Sequence, residues 1–248
     1  MKTLGVIPAR YASTRFPGKP LAVIHGKTMI QRVYEQAKLA VSLDEVYVAT
    51  DDQRIFAHVE SFGGKVLMTD SLHQSGTDRC NEVREILEEK AQLYDVVINI
   101  QGDEPYINPN QIDQLAAVFK QKEIQIATLV KTIQSTEELN NVNVVKVVKE
   151  NMDKAIYFSR YPIPFSRTGN VETYIKQGFY FKHIGIYAYR SSVLESICKL
   201  QNSKLEEIEA LEQLRWIEHS YSIQTILTEH ESIAIDTPED LLKLTNNA

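Results

Sequence analysis

The sequence predicts an α/β fold, a doubly wound and mostly parallel sheet, with an additional mixed or antiparallel strand lobe in the second half. Three observations carry this expectation. Through the first half, strand-like runs alternate with amphipathic helical stretches, the rhythm of βα units. Residues 94–100 (YDVVINI) form a near-continuous apolar run, as expected of a strand buried on both faces of a parallel sheet. After about residue 124 the rhythm changes: IQIATLVKTI, NVVKVVKE, KAIYFSR and KHIGIYAYR follow one another with little helix between them.

Taken in order, residues 3–7 are the first β-rich run. Residues 28–40 place Met29, Ile30, Val33, Tyr34 and Ala37 at helical spacing behind Thr28 as N-cap. Residues 45–50 are a second strand ending at Asp51-Asp52, and 52–62 a second helix stopped by Gly63-Gly64. Residues 65–69 make a third strand. The polar loop 70–79 leads into a helix over 80–90, and the central strand 94–100 then delivers Gln101, Gly102, Asp103, Glu104 and Pro105. Asn108-Pro109 opens a helix running to Phe119, with proline in the first turn where its missing N–H costs nothing. Helical pattern returns over 191–200 and as one helix over 205–219. A strand over 222–229 follows, and a last strand ends at Asp236 before the capped helix start Thr237-Pro238-Glu239-Asp240. The whole reads as a single domain, 1–248, in which about 125–190 form a strand-rich insertion.

With 43% hydrophobic and 24% charged residues over 248 positions, the composition is that of a globular protein with a core large enough to need no staples. The two cysteines, Cys80 and Cys198, lack any metal-binding spacing and read as reduced thiols. The N-terminal apolar run is too short for a signal sequence, and no stretch approaches the roughly 20 apolar residues of a membrane span. A soluble cytoplasmic protein is expected. A formal net charge of -6 argues against a general nucleic-acid binder.

Against that acidic balance, residues 8–20 carry Arg10, Arg15 and Lys19 and no carboxylate, together with Ser13, Thr14 and Gly18. Cations, hydroxyls and a permissive backbone after a first strand suit an anion, phosphate above all. The competing reading is a solvated surface loop. It is neither a Walker A loop nor G-x-G-x-x-G, because Gly18-Lys19 runs into Pro20 without the earlier glycine, so the cations would have to clamp phosphate directly. Asp103, at the end of the central strand, suits a divalent ion bridging phosphate oxygens, or a plain turn. Asp236 suits the same ion or a helix N-cap, a task Thr237 could share. In a doubly wound sheet the loops 8–20, 50–52, 70–79 and 101–105 would gather at the carboxyl ends of the strands.

Seven strings, PARYASTRFPGKPL (8–21), HQSGTDR (73–79), NIQGDEP (99–105), FSR (158–160), KHIGIYAYR (182–190), EALEQLR (209–215) and DTPEDL (236–241), together make the chain closely resemble the 3-deoxy-manno-octulosonate cytidylyltransferases. The resemblance covers about residues 3–243. Sialic-acid cytidylyltransferases share a similar IPAR start but continue differently, and Tyr161-Pro162 after FSR departs from some family members. The resemblance implies a nucleotide-diphospho-sugar transferase type of fold, CTP and a 3-deoxy-octulosonate as substrates, Mg2+ as cofactor and a homodimer, with a related sugar acid (8-amino or sialic) or a non-catalytic nucleotide binder as alternatives. Carried onto this sequence, Arg10, Arg15 and Lys19 hold the nucleotide phosphates, Pro8 and Ala9 also bind the nucleotide, and Gln74, Ser75, Gly76 and Thr77 read the cytosine. Asp103 and Asp236 bind the metal, with Arg10, Lys19 and Asp103 catalytic. The sugar acid draws on Arg79, Gln101, His183, Tyr187, Glu209 and Gln213. Arg79 would pair with the substrate carboxylate; Glu209 and Gln213 would share one helix face at i, i+4. For His183, ligand contact and a satisfied core histidine remain equal alternatives.

Overall fold

The computed structural model describes residues 1–13, 15–231 and 233–246, and Thr14 of the cationic loop lies outside them. The chain forms two compact units, Met1–Ala117 with Glu231–Ala248, and Val118–His230.

The first unit opens with β1 (Thr3–Ala9), which continues through Pro8, two residues further than the β-rich run predicted. A 3-10 turn (Lys19–Leu21) and a hairpin, β2 (Val23–Ile24) and β3 (Lys27–Thr28), follow. The hairpin escapes a periodicity reading because its strands are two residues long. Next come α1 (Met29–Ala37), β4 (Glu45–Thr50), α2 (Gln53–Ser61), β5 (Val66–Met68), α3 (Gly76–Glu89), β6 (Val96–Asn99) and α4 (Pro109–Val118). The strands pair in the order β6-β1-β4-β5, all parallel, with Thr3 opposite Val96, Leu4 opposite Glu45 and Val48 opposite Val66. Leu4, Val6, Ile7, Val48 and Val96 through Ile98 are fully buried, the burial that a parallel strand covered on both faces demands. Helix α1 buries the five residues whose spacing predicted it, and Thr28 caps it by accepting from the Gln31 N–H.

The second unit holds β7 (Ile126–Thr132), α5 (Thr136–Asn140), β8 (Lys146–Lys149), β9 (Ala155–Ser159), α6 (Val171–Lys176), β10 (Phe181–Arg190), α7 (Ser191–Cys198), α8 (Lys204–Glu209), α9 (Gln213–Glu218) and β11 (Ile223–Leu227). β11 runs parallel to β7; the pairs β7–β10, β10–β8 and β8–β9 are antiparallel. The predicted mixed strand lobe is present, with two short helices, α5 and α6, that the strand-rich pattern hid. The last helix, α10 (Pro238–Asn246), returns to the first unit.

Three expectations are corrected. Helix α3 begins at Gly76, not Cys80, because Ser75 and Asp78 form a capping box. The expected single helix 205–219 breaks at Ala210, which turns left-handed (φ 51, ψ 51) and leaves Glu209 and Gln213 on separate helices rather than one face. No strand ends at Asp236: residues 233–236 have no regular secondary structure and are tied by Ile235 N–H donating to Asp103 O at 3.0 Å.

Candidate active site

The cationic loop is folded back on itself, although Arg10 and Arg15 stay exposed. Tyr11 O accepts from the N–H groups of Ser13 and Gly18, both at 2.9 Å, and Phe16 packs against the buried cluster of Ile24, Met29 and Ile235. That inward phenylalanine anchors the loop at the rim of a cleft of about 270 Å³. Pro8, Ala9, Arg10, Ser13, Arg15 and Lys19 line one side of it. Gln74, Ser75, Gly76 and Arg79 at the start of α3, Gln101, Gly102 and Asp103 after β6, and Asp236 complete it. All the predicted residues of the first unit except Thr77, which is buried within α3, therefore meet in one place.

Electrostatics centre on Lys19. Its Nζ donates to Asp103 Oδ2 at 2.9 Å and to Asp236 Oδ1 at 3.3 Å, and an Arg15 terminal nitrogen lies 3.2 Å from the same Asp236 oxygen. Asp236 is free for this because Thr237 does the capping. Asp240 N–H donates to Thr237 Oγ1, and Asp240 Oδ2 accepts from the Thr237 hydroxyl and from the N–H groups of Thr237 and Asp236. The Thr237 hydroxyl, first, and those N–H bonds hold the Asp240 carboxyl below its ordinary range. Arg10 is exposed, lines the cleft and makes no ion pair among the described residues. The close approach of two strand ends fixes Asp103: a Cβ on Gly102 would lie 2.6 Å from Pro8 O, so only glycine fits.

Arg79 is placed differently from an open carboxylate receptor. It is buried, one terminal nitrogen donating to Thr69 Oγ1 at 2.8 Å and the other to Asp51 Oδ2 at 2.7 Å. Two residues of the first unit went unread. His73 lines the cleft, its Nε2 2.6 Å from Glu82 Oε2, which also accepts from Asp70 N–H. Asn99 is buried with Oδ1 unpartnered, its amide against Gly76. Both lie within strings quoted above, which was the available signal.

The remaining predicted residues belong to the second unit. His183, on β10, sits 3.0 Å from Thr128 Oγ1, whose single hydrogen is best placed toward Ile186 O at 2.8 Å. Desolvation drops the His183 pKa to about 3, so it is neutral, and its ring packs edge-on to Phe158 and tilted against Tyr187. Tyr187 packs edge-on to Trp216, and burial raises its pKa well above the ordinary value. The Gln213 side-chain nitrogen is buried without a hydrogen-bond partner, the condition of a group that a ligand satisfies, whereas the buried Tyr187 hydroxyl has the Thr128 side chain beside it. Glu209 is fully engaged: Oε1 accepts from Ser159 Oγ at 2.6 Å, Oε2 from Arg160 N–H at 2.9 Å, and its carbonyl from Arg160 Nε at 2.8 Å. It ties the FSR segment to the end of α8. A larger cavity of about 760 Å³ lies in this unit around Phe165, Phe179 and Phe181, and none of the predicted site residues lines it.

Comparison with known proteins identifies the family and the fold. A family model described as Cytidylyltransferase matches residues 4–229. A 3-deoxy-manno-octulosonate cytidylyltransferase of Bacteroides thetaiotaomicron is 54% identical over 97% of this chain and 96% of its own length. A protein of the same name from Thermodesulfovibrio yellowstonii is 52% identical over 97% and 96%. Among solved structures, a CMP:2-keto-3-deoxy-manno-octonic acid synthetase complexed with CTP superposes with a TM-score of 0.90 at 42% identity, covering 100% of this chain and 98% of that one. A 4-diphosphocytidyl-2C-methyl-D-erythritol synthase from Anaerococcus prevotii, at 12% identity and TM-score 0.63, covering 99% and 96%, shares the fold alone. By family match, near-full-length identity and fold, the chain belongs to the cytidylyltransferases, in the group of the 3-deoxy-manno-octulosonate enzymes.

Proposed function

We propose that this chain activates 3-deoxy-manno-octulosonate with CTP for lipopolysaccharide assembly. The anomeric 2-hydroxyl oxygen gives up its proton to solvent water and bonds to the α-phosphorus, the bond from that phosphorus to the bridging oxygen of the β-phosphate breaks, and pyrophosphate leaves. The observation that carries this reading is the Lys19 ammonium shared by Asp103 and Asp236 beneath a cationic loop, in a chain about half identical to curated enzymes of that name.

Arg10, Arg15 and Lys19 hold the triphosphate and balance charge on the departing pyrophosphate. The start of α3 directs backbone N–H groups toward the nucleotide. Two carboxylates together with nucleotide phosphates make a hard, all-oxygen donor set, which fits Mg2+, an ion that often takes one or two protein carboxylates and substrate phosphates. Asp103 and Asp236 would hold it. When bound, the ion neutralises charge on the phosphates. Gln101, which lines the cleft beside Asp103, is proposed to contact the sugar acid. Arg79 is read as a positioning residue, since Thr69 and Asp51 already hold both terminal nitrogens. His183 and Glu209 are read as supports of the second unit. We place the reaction in the cytoplasm and the enzyme as a homodimer.

The purified protein with CTP, Mg2+ and the octulosonate should release pyrophosphate. The 8-amino analogue and a sialic acid should be poorer substrates by about tenfold or more in kcat/KM. Release with sialic acid alone would reassign the sugar, and CTP binding without release on any of the three would make the chain a nucleotide binder.

A further inference from the structure

We propose that Tyr11, held by Arg54, is a positioning residue that fixes the shape of the triphosphate loop. The inference rests on reading that loop as the triphosphate site, and its evidence lies outside the cations themselves. Between the end of β1 and the 3-10 turn at Lys19 the described loop has no ladder of its own. Its closure depends on Tyr11, whose carbonyl accepts from both Ser13 and Gly18 N–H. The Tyr11 ring then sets how near Gly18 can come. Gly18 has φ 73, a backbone that side-chain-bearing residues avoid, and a Cβ there would lie 3.1 Å from the phenol carbon and oxygen.

Arg54 holds the ring from α2. Its guanidinium carbon lies 3.3 Å from the ring centroid, a close cation–π contact, although the side chain is exposed. Asp52 aims that guanidinium: Arg54 Nε donates to Oδ1 at 2.9 Å and a terminal nitrogen to Oδ2 at 2.6 Å. Asp52 is in turn the N-cap of α2, accepting from Arg54 N–H. A chain of contacts therefore runs from a helix end through Asp52, Arg54 and the Tyr11 ring to Gly18. Gly18 is bonded directly to Lys19, whose Nζ sits between the two aspartates. The bidentate Asp52–Arg54 pair carries no net charge, so its contribution to the loop is chiefly geometric.

The test compares Tyr11→Phe, Tyr11→Ala and Arg54→Ala. Tyr11→Ala should raise the KM for CTP about tenfold with kcat and the sugar-acid KM within about twofold, because ground-state triphosphate placement is what is lost. Tyr11→Phe keeps the ring and should stay within about twofold of wild type, and Arg54→Ala should move the CTP KM in the same direction by a smaller factor. Calorimetric titration gives a readout independent of turnover: CTP affinity should fall in Tyr11→Ala while cytidine affinity holds. Equal loss for CTP and cytidine, an unchanged CTP affinity, or a Phe variant as poor as Ala would overturn the role. Because Arg54 is exposed, its variant folds, and no change in its CTP affinity removes Arg54 from the proposal. If wild type binds CTP but turns over no sugar acid, the enzymatic reading fails while the CTP and cytidine titrations still decide the role of Tyr11. If wild type does not bind CTP, both fall.

Discussion

Single residues here do tasks that their type alone does not reveal. Lys19 pairs with both Asp103 and Asp236, so the carboxylates that would hold a divalent ion already have a cation between them. Nucleotide phosphates would draw Lys19 away and expose the oxygens. The nucleotide-free protein should therefore bind Mn2+ weakly, and Lys19→Met should bind it at least about tenfold more tightly by electron paramagnetic resonance. Adding Asp103→Asn should abolish that gain, and no gain in the single variant would detach Lys19 from the metal site. His183 has a pKa of about 3 against the ordinary 6.5, through desolvation. The folded state therefore excludes a proton that the unfolded state binds. The stability its neutral form contributes is complete above about pH 6.5 and is lost as pH falls toward about 3. Urea midpoints of wild type and His183→Gln should converge between about pH 7 and about pH 4; parallel curves would contradict a desolvated imidazole.

Elements present these residues by their ends. β1 and the loop after β6 approach so closely that Gly102 has no room for a methyl group. Gly102→Ala should push Asp103 away from Pro8, cost about 1–3 kcal/mol in urea melts and lower kcat by more than about tenfold. Wild-type turnover would mean that the loop can shift without moving its carboxylate. At α3 the capping box draws Gly76 and Thr77 into the helix, so the string proposed to read the nucleotide is a helix N-terminus instead of a loop. In the second unit the fully buried Lys146 donates to the carbonyls of Asn141 at 2.9 Å and Val144 at 2.7 Å, and to Arg160 O. Burial, foremost, and nearby Arg160 lower its pKa. Those carbonyls fix the end of β9, where Glu209 also binds.

Across the whole molecule, the chain leaves the first unit after Ala117 and comes back to it at Glu231. That return supplies Asp236 and lays Ile235, Leu241 and Leu244 on Ile24 and Met29. Ending the chain at His230 should uncover those side chains, costing about 3 kcal/mol or more, and should abolish turnover. Asp236→Asn should keep the melting temperature within a few degrees yet lose turnover about 100-fold. Full activity in the truncated chain would remove Asp236 from the site.

By itself the sequence determined the strand and helix rhythm, the buried central strand that ends near Asp103, the Thr28 cap, and the cationic loop with its strings. These are local: a 3.6- or 2-residue period records which side of an element is buried, and a cap acts within four residues. Only the tertiary structure decided that Lys19 meets carboxylates 84 and 217 positions away, that Asp51 holds Arg79, and that Ala210 separates Glu209 from Gln213. The pairing of a charge depends on where the chain path brings its neighbours. A sequence pattern shows which residues can ionise; packing decides which of them already have partners.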